Sequence, residues 1–399
     1  MFKRAVVIVL DGVGCGALPD AADYGDQDAA TLQHVASAVG GLRLPLLEKL
    51  GLGCIVPVAG VAAVDHPLAC WGKMAEQSAG KDSVTGHWEL AGVILEEPFA
   101  TYPNGFPPEI INTFTAVAGR EPLGNIAASG TDILRQLGEE HLRSGRPIVY
   151  TSTDSVFQIA AHETIMPPPQ LYELCRSTYR ALLPFNLCRV IARPFLGDCA
   201  ATFYRTAGRH DFPRTPPAET LLDLMQHQGM TTCGIGKIGD LFAGTGLTHN
   251  IPTINNQMGM AEIIIALDRI SSGLVIANLV DFDMIYGHRL DAEGFAAALV
   301  DFDCWLAQLL PRLSSDDLLL ITADHGCDPT TPGTDHTREY VPLLAFSPTM
   351  VHATSLGVRH SFADLGATLA ENFKLRLPAG ESFLTSVSSR QNVGSSTSI

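Results

Sequence analysis

Apolar residues along this chain gather in short, β-branched runs that end abruptly at polar ones. The clearest are AVVIVL before Asp11, PIVY before Thr151, LVIANLV before Asp281, and LLLIT before Ala323 and Asp324. Such runs predict parallel strands buried on both faces. Between them, residues 291–313 (DAEGFAAALVDFDCWLAQLLPRL) and 362–373 (FADLGATLAENF) repeat their apolar positions with a helical period. Strands alternating with helices predict an α/β fold.

In open α/β sheets ligands bind beyond the carboxyl ends of the strands. Acids stand at three of those ends: Asp11, Asp281 with Asp283, and Asp324. One Asp in such a place more often caps a helix or forms a turn. Three of them, each adjoining His or Gly, point to a site.

Two Pro-rich stretches, 96–109 (EEPFATYPNGFPPE) and 209–219 (RHDFPRTPPAE), bracket a segment with helix and strand patterns of its own. They predict hinges around an inserted domain at 98–215, with the core formed by 1–97 and 216–387. Residues 388–399 are Ser-rich and aperiodic, and read as a disordered tail.

Composition narrows the class. Of 399 residues 46% are hydrophobic and 17% charged, and no apolar run approaches the roughly 18 residues that cross a bilayer. The reading is a soluble chain without a membrane partner. The start, MFKRAVVIVLDG, imitates a signal peptide, but Asp11 cuts its apolar stretch short of the roughly 7–15 residues a signal core needs. Nine scattered cysteines without a CxxC pair fit reduced thiols in a cytoplasm. A net charge of −16 disfavours nucleic acid as a partner. Small phosphorylated ligands stay compatible where local cations reverse the field.

The chemistry concentrates in a few segments. DFDMIYGH sets Asp283 and His288 five apart, TADHG sets Asp324 beside His325, and PGTDHTRE adds His336. With Asp11 these make three carboxylates and three imidazoles, enough to hold two divalent ions through oxygen and nitrogen. Neighbours on a regular strand point to opposite faces, so Asp324 and His325 can reach one ion only past the strand end, where Gly326 allows a turn. Two such ions suit transfer at phosphorus, and a coordinated hydroxyl becomes a nucleophile. GKDSVTGHWE, residues 80–89, offers two hydroxyls, Ser83 and Thr85, between which spacing does not choose. An aspartyl-phosphate reading of Asp11 fails because the second Asp it requires is replaced by Val13.

VIVLDGVGCGALPDA, GKDSVTGHWEL, YTSTDSVFQIAAHE, VIARPF, GRHDF, GIGKIGD, NLVDFDMIYGHR, LLLITADHGCDP and PGTDHTREYVPLLA, in that order across residues 5–385, together resemble the phosphopentomutases of the alkaline phosphatase superfamily. The resemblance implies an alkaline-phosphatase-like core, a largely parallel sheet flanked by helices, with an inserted α/β cap domain that positions a pentose phosphate. It implies two manganese ions, Mn2+, one held by Asp283, His288 and His336 and the other by Asp11, Asp324 and His325. It sets the nucleophile at Ser83, where the family pattern carries Thr; serine keeps the hydroxyl and drops the β-methyl that restricts χ1. It groups Ser152, Asp154, Arg193 and Arg209 around the sugar phosphate, with Lys237 approaching from the core. The implied reaction interconverts ribose or deoxyribose 1-phosphate and 5-phosphate through a 1,5-bisphosphate, primed by a sugar bisphosphate such as glucose 1,6-bisphosphate. Two rivals remain: a related two-metal phosphatase or phosphoglycerate mutase, and a catalytically silent phosphosugar-binding protein. Oligomeric state is not encoded in these patterns.

Overall fold

The structure, a computed structural model, describes residues 1–152 and 155–388; Asp154 and the Ser-rich end lie outside the described residues. Strands occur in chain order as β1 (Arg4–Leu10), β2 (Cys70–Met74), β3 (Leu123–Ala127), β4 (Ile148–Thr151), β5 (Val156–His162), β6 (Arg189–Leu196) and β7 (Tyr204–Arg205). They continue as β8 (His210–Pro213), β9 (Thr232–Ile235), β10 (His249–Ile251), β11 (Gly273–Leu279), β12 (Asp317–Thr322), β13 (Val341–Phe346) and β14 (Ser355–Arg359). The chain divides into two compact units, one of residues 1–97 with 216 onward, the other of residues 98–215. Both divisions fall inside the Pro-rich stretches.

The first unit holds an eight-stranded sheet in the order β10-β9-β11-β1-β12-β13-β2-β14. From β10 to β12 every pairing is parallel, and β13 alone runs against its neighbours. The apolar runs explain the arrangement: β1, β11 and β12 are buried at every residue, so both faces need helical cover. Helix Ala292–Leu309 supplies Phe295, Leu299, Phe302 and Leu306 to the core, starts where the Asp291 side chain accepts from the Gly294 amide, and gives way at Pro311 to a short 3-10 turn. Register makes the strand ends level: Leu10 lies opposite Leu279, and Val9 opposite Thr322.

The second unit has its own sheet, β3-β4-β5-β6-β7, with β8 also paired to β6. The PIVY run, grouped by its pattern with the core strands, forms β4 here, parallel to β3 and antiparallel to β5. Its period of two is explicit in the packing. Val149 joins Phe114, Phe157 and Leu171 on the face covered by helices Pro108–Ala118 and Pro168–Leu182. Ile148 and Tyr150 join Ile133, Leu134 and Phe195 on the other, covered by helix Gly130–Ser144. Among the described residues no helix is long and apolar enough to cross a membrane.

At the start of the core sheet lies a buried ion pair. Arg4 Nε and Nη2 donate to the two carboxylate oxygens of Asp317 at 2.9 and 2.6 Å, and Nη1 donates to the carbonyls of Leu267 and Ile270. This fork ties β1 to β12 and to the end of helix Asn256–Arg269. Arg4→Met, which strands Asp317 as a buried charge, should cost about 3–5 kcal/mol. Urea unfolding is the check: the midpoint should fall with an unchanged slope, and an unmoved midpoint would remove the pair from the folding argument.

Candidate active site

Four neighbouring strands deliver polar side chains at their carboxyl ends. Asp11 directly follows β1, Asp324 stands just past β12, Lys237 follows β9, and Asp283 follows β11 within a π-helical turn, Phe282–Tyr286. Such turns recur at functional sites because one inserted residue re-aims the side chains. Here the turn separates two acids that the sequence groups. Asp281 exchanges hydrogen bonds with Asn256, its Oδ2 accepting at 2.8 Å and its N–H donating at 2.9 Å, at the start of helix Asn256–Arg269. Only Asp283 faces the cluster.

The histidines close around these acids. His325 Nε2 lies 3.4 Å from Asp11 Oδ1 and 3.3 Å from Asp324 Oδ2. Asp283 Oδ1 lies 3.3 Å from both His288 Nε2 and His336 Nε2. A two-way backbone bridge between Gly326 and Thr337 sets the TADHG and TDHTRE segments side by side, so the His325 and His336 rings sit 4.0 Å apart, centre to centre.

The donor set fits divalent cations. Asp11, Asp283 and Asp324 are at most 3% exposed, yet Asp11 Oδ1, Asp283 Oδ1 and Asp324 Oδ2 have no hydrogen-bond partner. Buried carboxylate oxygens without donors are costly. The imidazoles do not relieve them in neutral form: His325 Nδ1 lies 2.9 Å from the Gly326 carbonyl and His288 Nδ1 2.6 Å from that of Thr334. Each ring's proton therefore points outward and its Nε2 lone pair inward, the tautomer a metal requires. Asp11, Asp324 and His325 form one group with ligand atoms within 4.8 Å of one another; Asp283 and His336 with His325 form a second, and Asp283 and His288 with Cys327 a third. Against the burial that opposes it, Asp324 and Asp11 hold the His325 imidazole well above its ordinary range. Against the burial that would raise it, His336 and His288 hold the Asp283 carboxyl well below the carboxylate range.

Lys237 belongs to this cluster as well. Its Nζ is 3.2 Å from Asp11 Oδ2 and 3.8 Å from Asp283 Oδ2, a counter-cation to the acids.

Ser83 and Thr85 occupy different environments. Helix Ser83–Leu90 starts at Asp82, whose side chain accepts from the amides of Val84 and Thr85 at 2.9 and 3.1 Å. Thr85 completes the capping box: its buried hydroxyl donates to the Asp82 carbonyl at 2.8 Å and accepts from the Asp82 amide at 3.3 Å. Ser83 takes no part in the cap, and its Oγ lies 3.0 Å from His325 Nε2.

Arg338 holds the approach to this helix. Nearly buried, it donates to Glu76, to Asp20, and to the carbonyls of Glu76, Ser78 and Gly80. Two residues beyond His336 in the same motif, it carried no periodic signal that would mark it. Lys81 pairs with Asp26 at 2.9 Å.

In the second unit a recess of about 330 Å³ is lined by Ser152, Gln158, Arg189, Arg193, Arg205 and Arg209. Arg193 donates to Gln158 Oε1 at 3.0 Å, while Arg209 forks onto Asp211, which Arg189 also approaches. Burial first, and then Arg209 beside it, lower the Arg193 pKa, as expected for crowded cations. This recess suits an anion. Arg189 and Arg205, which the sequence reading missed, line it because Arg189 lies four residues before Arg193 on β6 and Arg205 lies on β7, the strand paired with β6.

Residues 3–377 match the metalloenzyme superfamily. The chain is 59% identical to a phosphopentomutase of Syntrophotalea carbinolica over 383 residues, 96% of this chain and 98% of that protein. It is 52% identical to one from Caldanaerobacter subterraneus and 53% identical to one from Carboxydothermus hydrogenoformans, with the same coverage. This chain belongs to the phosphopentomutase family. It is thereby an isomerase, an intramolecular phosphotransferase.

Phosphopentomutase membership accounts for a metal-holding donor set in a buried place. A divalent ion that binds only the folded state should stabilise it by about 2.7 kcal/mol at 100 times its Kd. Manganese added to the metal-free protein should therefore raise its melting temperature, and Asp283→Ala should lose bound metal and part of that rise while keeping the fold. Equal metal content by elemental analysis in the variant and the parent would refute the assignment.

Proposed function

We propose that this chain interconverts ribose or deoxyribose 1-phosphate and 5-phosphate through a phosphorylated Ser83 and a pentose 1,5-bisphosphate. A sugar bisphosphate such as glucose 1,6-bisphosphate is the proposed primer, and the cytoplasm, with its reduced thiols, the proposed setting. One observation carries the reading: of the two hydroxyls in the GKDSVTGHWE motif, Thr85 is spent on the helix cap, whereas Ser83 Oγ faces His325 and the acids beside it. Asp283, His288 and His336 would hold one divalent ion and Asp11, Asp324 and His325 another, manganese in this proposal, supplying the positive charge that phosphoryl transfer needs.

The chain's residues then divide the work. Phosphorylated Ser83 gives its phosphoryl group to the free hydroxyl of a pentose phosphate: the bond from Ser83 Oγ to phosphorus breaks, one from the sugar oxygen forms, and the sugar's proton is released. In the return step Ser83 Oγ takes the phosphoryl group from the other end of the bisphosphate, and the freed sugar oxygen takes up a proton. Arg193 and Arg209, with Ser152 and Asp154, bind the phosphate and hydroxyls that do not react, and Lys237, beside Asp11 and Asp283, would add a cation for the phosphate.

Mass spectrometry after priming with glucose 1,6-bisphosphate tests the proposal: one phosphoryl group should appear on Ser83 and none on Thr85. Ser83→Ala should lose both the mark and turnover of ribose 1-phosphate in a coupled assay, and Thr85→Val should keep the mark. Phosphate on Thr85 with an active Ser83→Ala protein would overturn the assignment, and hydrolysis of pentose 5-phosphate without isomerisation would favour a phosphatase.

The recess gives a separate expectation. Arg193→Ala removes a charge-assisted contact of about 1.5–3 kcal/mol, a loss of about ten- to more than a hundredfold in kcat/KM for pentose phosphate, while metal content stays. Unchanged kinetics would remove Arg193 from substrate binding.

A further inference from the structure

Within the helix that carries Ser83, the side chain of His87 reaches two things at once. It is fully buried, and its Nδ1 lies 2.8 Å from the Ser83 carbonyl oxygen and 3.2 Å from Asp324 Oδ2. Both neighbours are acceptors, so Nδ1 carries the ring proton. On the far side, Nε2 lies 3.3 Å from the Asn278 side-chain amide nitrogen, a donor on β11 that keeps Nε2 unprotonated. The Nδ1 proton is taken by the Ser83 carbonyl, and the Asp324 oxygen beside it, which has no hydrogen-bond partner, meets the same ring edge at 3.2 Å. Asp324's other oxygen accepts from the Gly12 amide at 3.1 Å, so its carboxylate is held between the β1 turn and the His87 edge of the Ser83 helix.

The adjoining residue makes this approach possible. A Cβ at Gly86 would fall 2.0 Å from the Asp324 carbonyl oxygen, so only glycine lets the helix lie this close to the strand end. Trp88 anchors the next position by donating from its indole to the Leu241 carbonyl at 2.9 Å. Gly86 brings the helix in, Trp88 holds it, and His87 fills the space between with an oriented donor.

We propose that His87 is a positioning residue, whose ring edge, bonded to the Ser83 carbonyl, seats the Asp324 carboxylate at contact distance so that the nucleophile and this ligand keep one fixed spacing. The proposal rests on the reading of Asp324 as a metal ligand and Ser83 as nucleophile given above. Groups that orient metal-binding carboxylates typically change metal affinity or activity by about 10–100-fold when lost, and that is the size expected here.

The test compares two amides in the full-length chain. In His87→Asn the amide nitrogen stands near the place of Nδ1 and can still donate to Ser83 beside Asp324; in His87→Gln it stands near the place of Nε2 and cannot. Calorimetric titration of metal-free protein with manganese should show His87→Gln losing about 10–100-fold in affinity for one of two equivalents, with kcat lowered and KM for ribose 1-phosphate unchanged. His87→Asn should recover both quantities. A residue serving only to fill space would give the opposite ranking or none, because Gln replaces more of the ring's volume than Asn does. Parental affinity in His87→Gln, or an Asn variant as impaired as His87→Ala, would overturn the proposal. Asp324→Ala separates the layers: loss of one equivalent there, with parental binding in His87→Gln, defeats the positioning role alone, whereas two equivalents retained in Asp324→Ala defeat the metal reading and this inference with it.

Discussion

Asp11, Asp283 and Asp324 come from positions more than 300 residues apart at the extremes, and parallel register alone makes them neighbours. Because Leu10 lies level with Leu279 and Val9 with Thr322, whatever follows β1, β11 and β12 is pressed into one buried volume. Three carboxylates there repel one another and have lost water, a condition a protein sustains only with cations. Lys237 supplies part of that charge, and the acids hold the His288 and His325 imidazoles above their ordinary range. Two divalent ions would supply more of it, and the unpartnered oxygens face inward as such ions require. The sheet therefore builds a site that is electrostatically incomplete, and completing it is the proposed first step of function.

Holding that site takes a second set of buried polar groups. Glu339 accepts from the amides of Gly16 and Thr31 and from the hydroxyls of Thr31 and Thr337. Arg338 next to it clamps residues 76–80, and Glu89 accepts from the amides of Gln77, Ser78 and Phe362. Arg338 and Glu89 between them fasten the loop before Ser83 along residues 76–80. A loop fastened through its own carbonyls and amides has few alternative conformations, which places the Ser83 helix reproducibly against the strand ends.

Much of this was legible in the sequence, for stated reasons. Strands buried on both faces leave unbroken apolar runs, so β1, β11 and β12 were visible, and the acids after them stood out as polar residues where apolar ones had just ended. The π-helical turn was not visible, because Asp281 and Asp283 differ only in which way a local backbone irregularity aims them. Nor was the cap's wall of guanidinium groups: Arg189 and Arg193 share β6, but Arg205 and Arg209 reach them only through the pairing of β7 and β8 with that strand, and β7 is a two-residue strand that periodicity cannot detect. The choice between Ser83 and Thr85 was open to spacing for a related reason. Two hydroxyls two residues apart at a helix start differ by which one the capping box consumes, and that follows from helix geometry.

The same geometry bears on serine at a position where the family resemblance carries threonine. A β-methyl narrows χ1, and its absence returns at most the freedom of three staggered wells, about 0.6 kcal/mol or a factor of about three in rate. Against that, Ser83 Oγ already has a partner, His325 Nε2 at 3.0 Å, which selects one well. The backbone beneath it is fastened by the Asp82 cap on one side and by His87 on the other. Most of the orientation of the Ser83 side chain is thus built into the helix and its neighbours, and the missing methyl removes only one of several restraints.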